Sequence, residues 1–141
     1  MQNRERSETT LPPLREALEK LTYEVIGCAI EVHRALGPGF LEGVYGESLV
    51  LSLADRAIPY ERELTVGVEF KGRSVGSHRL DLLVAGALVV ELKAVERLAP
   101  VHFAQVRSYL RATRLRAGLL LNFEAPTLEV RRILNPLAIG E

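Results

Sequence analysis

The chain has 141 residues, 48% hydrophobic and 26% charged, with 18 basic and 18 acidic side chains and a formal net charge of zero. One domain's length with that apolar content buries a core without staples, while the balanced charge removes any global electrostatic case for nucleic acid or an anionic membrane, so a polyanion site has to be a local patch. The one cysteine, Cys28, cannot form an intrachain disulfide, the polar N-terminus has no apolar signal core, and no apolar run is long enough to span a bilayer; the expectation is a soluble cytoplasmic protein with no membrane partner.

Residues 1–13 read as a disordered lead-in ending in "LPP", and 14–141 as a single domain. Over 14–36, Leu18, Leu21, Val25, Cys28, Ala29, Val32 and Leu36 recur at helical spacing. "GPG" at 37–39 stops that helix, and a second is expected over about 40–57. The period then changes: Leu64, Val66, Val68 and Phe70 alternate with Glu63, Thr65, Gly67 and Glu69, a half-buried strand. "KGRSVG" at 71–76 reads as a turn, followed by strands over about 77–84 and 88–95 hinged on Ala85-Gly86-Ala87. A helix over 100–113 carries Phe103, Val106 and Leu110 on its apolar side. "AGLLLNF" at 117–123 suits a strand covered on both faces, and "LEVRRIL" fits an edge strand or a short helix. The order predicts an α/β protein with a mixed sheet flanked by helices. A right-handed crossover through the 100–113 helix should set strand 117–123 parallel to strand 88–95.

Three charges interrupt the apolar hairpin "LDLLVAGALVVELK": Asp81, Glu91 and Lys93. A loop centred on Gly86 pairs residues whose numbers sum to 172, which sets Asp81 across from Glu91 and puts Lys93 on the face of Glu91. Two carboxylates that close repel each other, and a divalent cation offsets the repulsion. Hard oxygen donors suit Mg²⁺ or Mn²⁺. A solvated network of cross-strand ion pairs fits the same spacing, and spacing alone favours it.

The same residues carry a resemblance. D-x9-E-x-K on a hairpin, preceded by a helical glutamate and followed by a helix, resembles the PD-(D/E)xK nuclease superfamily. "AIEVHRALGPGFLEGVY", with Gly39, Glu42 and Tyr45 at the pattern's named positions, is similar to the signature of the GxxExxY proteins. The later blocks, through "GLLLNF", extend the similarity over about residues 20–135. The resemblance implies a restriction-endonuclease-like α/β/α sandwich and an Mg²⁺- (or Mn²⁺-) dependent nuclease acting on nucleic acid, more readily DNA. It implies Asp81 and Glu91 as metal ligands with the Leu92 carbonyl as a third, Lys93 as the catalytic lysine and Glu42 as the acid from the preceding helix. Leu80 stands where the superfamily has a proline. The alternative function is a catalytically silent nuclease-fold module that binds a protein partner or itself; a homodimer would also suit a nuclease cutting duplexes.

The remaining candidates each have a structural reading beside the functional one. Glu42, in a first helical turn, favours the helix dipole as readily as a metal. Tyr45 suits a core aromatic with a tethered hydroxyl. Gln105 and His102 lie near the start of the 100–113 helix, where a glutamine is a recurring neighbour of the superfamily's site. His33 reads as packed beneath the glycine loop, and His78 has no evident partner. Arg107, Arg111 and Arg114 recur at i, i+4 and i+7 and offer a stripe for a nucleic-acid backbone or a solvated helix face. Aromatics are only 6%, which supplies few stacking platforms for single strands.

Overall fold

A computed structural model describes residues 2–136, with side chains from residue 15 onward. The elements are α1 (Gln2–Leu36), α2 (Glu42–Asp55), β1 (Tyr60–Phe70), β2 (Arg73–Val84), β3 (Leu88–Lys93), α3 (Pro100–Thr113), β4 (Ala117–Asn122) and β5 (Glu129–Leu134). The strands form one sheet in sequence order, β1-β2-β3-β4-β5. All pairs are antiparallel except β3 and β4, which run parallel as the crossover through α3 requires. The α/β/α layering and the mixed sheet are as expected from the sequence.

Two cores explain the apolar pattern. Leu82, Val84, Leu88, Val90, Leu92, Leu119 and Leu121 meet Val25, Cys28, Ala29 and Val32 of α1 and Tyr45, Leu49 and Leu53 of α2. On the other face Leu83, Val89 and Leu120 meet Val106, Tyr109 and Leu110 of α3. Strand β4 is buried along its whole length because both helical layers cover it. Each fully buried leucine there contributes about 1.5–3 kcal/mol. Among the described residues no helix is long and apolar enough to cross a membrane.

Several boundaries differ from the sequence expectation. Helix α1 spans Gln2–Leu36 and so takes in the segment expected as a lead-in from its second residue. The turn expected over 71–76 shrinks to two residues. Lys71 (φ 55°) and Gly72 (φ 75°) turn the chain, and Phe70 pairs directly with Arg73. Strand β3 stops at Lys93 rather than 95, because buried Asn122 takes over both the N–H and the carbonyl of Val95 with its side-chain amide. The 129–134 segment is an edge strand, the first of its two readings.

Gly118 of β4 is fixed by packing. A Cβ there would lie 2.9 Å from Val106 Cγ1 and 3.4 Å from the Val89 carbonyl. Gly118→Ala should therefore destabilise the fold by about 1–3 kcal/mol in chemical denaturation. Combining it with Val106→Ala should cost less than the sum of the two single changes, since the clash is then relieved.

Candidate active site

The β2–β3 ladder has the predicted register, Leu82↔Val90, Leu83↔Val89 and Val84↔Leu88, all summing to 172. It ends where Asp81 faces Glu91. There the carboxylates replace the backbone ladder. The Asp81 N–H donates to Glu91 Oε1 at 2.9 Å, and the Leu92 N–H donates to Asp81 Oδ2 at 2.8 Å. Asp81 also lacks a registered partner on β1, where Arg62↔Leu82 is followed by Leu64↔Leu80 and the skipped Glu63 takes φ 52°. The chain twists at this point. Leu80 and Leu82, both 1% exposed, belong to opposite cores although strict alternation would put them on one face. Leu80, in the place of the superfamily's proline, is thus a core residue under α3.

The site is electrostatically tight. Glu91 is 3% exposed. Burial, then the Asp81 charge, pushes its pKa up to about 8. Burial also raises Asp81, against the Leu92 N–H and the Lys93 charge, which favour its ionised form. Lys93, half-buried, donates from Nζ to Gln105 Oε1 at 3.3 Å. Gln105, whose helical position also fitted a solvated surface residue, therefore sits beside the lysine. The Tyr109 hydroxyl is pushed up to about 12, by burial first and by the Glu91 and Asp81 charges next.

Glu42, the first residue of α2, is solvent-exposed at the mouth of a cavity of about 270 Å³. Asp81 and Leu92 line the same cavity. The pKa of Glu42 is raised by partial burial and then by Asp81, and eased by Lys93. The fold thus sets Glu42 on the same cavity as Asp81, within reach of its charge. Among the described residues no three His, Cys, Asp or Glu side chains are grouped closely enough to hold a metal ion. The donor set is instead two carboxyl groups, each accepting one backbone N–H and hydrogen-bonded to the other. That suits Mg²⁺, which binds through one or two carboxylates and keeps several waters.

The glycine loop positions Glu42. The Tyr45 hydroxyl donates to the Gly37 carbonyl at 2.6 Å and accepts from the Phe40 N–H at 3.2 Å, while the ring stacks on Phe123 at 4.6 Å. Gly39, at φ 113°, donates its N–H to Glu124 Oε1. His33 is buried and donates from Nε2 to the Ala125 carbonyl at 2.8 Å. Tyr45 and His33 thus both brace the segments around the glycine loop. His102 accepts the Ala99 N–H on Nδ1 and caps α3; burial, then Lys93, lowers its pKa. His78 does have partners, Ser108 at 3.3 Å and the Tyr109 ring edge-on at 5.0 Å.

The arginine stripe divides. Arg107 and Arg111 line one shallow cavity on the β5 side of α3. Arg114 ends the helix at φ 60° and lines a different groove, beside α1 and the Ala85-Gly86-Ala87 turn, at the far end of β3 from Lys93. Two arginines that the sequence reading passed over border the acidic cavity instead. Arg62 is paired with Glu47 at 2.8 Å and Arg79 is paired with Glu63. A signal for them existed in the β1–β2 register, which becomes readable only once the turn is placed at Lys71-Gly72.

Comparison with known proteins places the chain in a superfamily and a fold. A family profile described as PD-(D/E)XK nuclease superfamily matches residues 19–133. A solved structure, "Crystal structure of SSO0001", aligns with a TM-score of 0.53 and 17% identity over 66% of this chain and 49% of that one. The chain thus spans about half the length of that protein, and likeness at this identity concerns the fold alone. No curated protein matches.

Two tests follow from the electrostatics and the loop. Unfolded, Glu91 loses its proton near pH 4.5; folded, it keeps it to about pH 8. The folded chain therefore binds more protons between those values, and without metal its stability should fall as pH rises from about 4.5 to about 8. Denaturant titrations in EDTA across that window should show the slope, and Glu91→Gln should flatten it. Tyr45→Phe should cost about 1–2 kcal/mol through the two lost loop bonds, read as a lower denaturation midpoint.

Proposed function

The chain belongs to the PD-(D/E)XK nuclease superfamily, and on that premise we propose that it is an Mg²⁺-dependent nuclease hydrolysing phosphodiester bonds in DNA. Superfamily membership implies a nucleic-acid substrate, and nucleases of this superfamily use divalent metals. The Gly39, Glu42 and Tyr45 block supports the GxxExxY branch. The observation that carries the proposal is the mutual engagement of Asp81 and Glu91 with each other's strands, with Lys93 held beside them by Gln105.

In this reading Asp81 and Glu91, with the Leu92 carbonyl, would hold the ion. When bound, the ion supplies Lewis-acid activation of water and neutralises charge developing at phosphorus. The Asp81 and Leu92 N–H groups fix the carboxylates before substrate arrives, so little reorganisation is left for the reaction. Lys93 places its ammonium against a phosphoryl oxygen, and the Gln105 acceptor keeps it aimed there. Glu42, exposed at the cavity mouth with a raised pKa, suits the role of accepting a proton from the attacking water. Arg107 and Arg111 are in no ion pair among the described residues and are available to a phosphate backbone; Arg114 faces elsewhere.

The rival reading, a nuclease-fold module that binds without turnover, draws on one observation: among the described residues no third acidic side chain closes on the pair. Labelled single-stranded, duplex and branched DNA with Mg²⁺ or Mn²⁺ separates the two. Cleavage is expected, with a loss of at least about a hundredfold in Asp81→Ala and in Lys93→Ala. Undiminished cutting by Asp81→Ala would overturn the assignment. Mn²⁺ should also raise the melting temperature of the native chain but not of the Asp81→Ala/Glu91→Gln double variant, because only a native site binds it.

A further inference from the structure

Strands β1 and β2, of 11 and 12 residues, outrun β3, which has six and pairs with β2 only over 82–84. From Leu64↔Leu80 to Phe70↔Arg73 the two long strands have only each other. Leu64, Val66 and His78 rest on the core under α3. Beyond them, over 67–77, every residue is exposed except the half-buried Val68. The result is a two-stranded ribbon standing off the domain with both faces in solvent.

Its charge is net positive. From Gly67 to Arg79 there are three cations, Lys71, Arg73 and Arg79, against one acid, Glu69. Arg79 is paired with Glu63, but among the described residues Lys71 and Arg73 are in no ion pair. In a chain with no net charge, this is a local patch of the kind a polyanion needs. The patch is continuous with the acidic cavity, since Arg79 lines the cavity together with Asp81.

We propose that this ribbon enters a groove of duplex DNA and fixes the duplex against the acidic pair; the inference rests on the nuclease reading and names its substrate as double-stranded. A B-DNA major groove is about 12 Å wide and admits a two-stranded ribbon. The ribbon's waist is slim, with Gly67 opposite Ser77 and Val68 opposite Gly76. Neither glycine has a positive φ, and a Cβ at either would meet nothing within 4 Å. Backbone and internal packing therefore leave room for a side chain that closely approaching DNA would not. Eight residues of one strand separate Arg73 from Asp81, about 26 Å, so the tip contacts the duplex at a distance from the phosphate at the acidic pair.

The test uses the full chain, with Ca²⁺ in place of Mg²⁺ so that a short fluorescent duplex is bound without being cut. Lys71→Glu/Arg73→Glu should weaken binding at least about tenfold and lower the salt slope by about two. Gly76→Val should weaken binding several-fold while the melting temperature holds or rises, since valine favours strand. The proposal falls if native protein does not bind duplex, if both variants bind like native protein, or if binding drops only together with the melting temperature. It also falls if sedimentation shows that the variants alter self-association instead, which would make the ribbon a protein contact. Duplex bound through the ribbon without any Asp81-dependent cleavage would sink the nuclease reading and leave this one. Cleavage indifferent to the ribbon variants would do the reverse.

Discussion

Two hydrogen bonds hold the strands apart where the site lies. Past Leu82↔Val90 an ordinary hairpin would continue its backbone ladder; here the Asp81 N–H goes to the Glu91 carboxylate and the Leu92 N–H to the Asp81 carboxylate. Both donors are satisfied, so the ladder can end inside the protein without orphaned groups. Among the described residues no buried side-chain polar atom lacks a partner. The arrangement costs the burial of two acids, which shows as the raised pKa of each. A structure that needed only a hairpin would have no reason to retain that cost. A cation between the carboxylates would remove it.

The other elements converge on this opening. It lies at the carboxyl end of β3, the end of parallel strands where open α/β sheets place their ligands. Helix α2 delivers Glu42 because Tyr45 straps the loop before it, and α3 delivers Gln105 to Lys93. Asn122, at the end of the parallel neighbour β4, clamps the chain leaving Lys93 through both backbone groups of Val95, and the Phe123 N–H bonds the Lys93 carbonyl. Each polar residue near the site has a traceable positional task, and these tasks lie on four separate stretches of chain.

Much of this was legible in the sequence because it depends on period and turn arithmetic. The Ala85-Gly86-Ala87 turn fixes the β2–β3 register, and the register alone sets Asp81 against Glu91. The all-apolar run at 117–123 announces a strand covered twice. Three features were hidden for physical reasons. Lys71 adopts φ 55°, uncommon for a side chain without the short polar group of Asn or Asp, so the two-residue turn and the length of the ribbon did not show. The partner of Gln105 depends on the aim of α3, which no local pattern encodes. Arg114 leaves the arginine stripe because the helix ends on it in a left-handed conformation, so the i, i+4, i+7 rule stops one residue early.

The central claim is that the Asp81–Glu91 opening is a cation site. Anomalous diffraction from crystals soaked in Mn²⁺ tests it most directly. The account predicts one peak between the two carboxylates and the Leu92 carbonyl, with Lys93 still beside Gln105. Anomalous density elsewhere, with the acidic pair left bridged only to each other's strands, would contradict it.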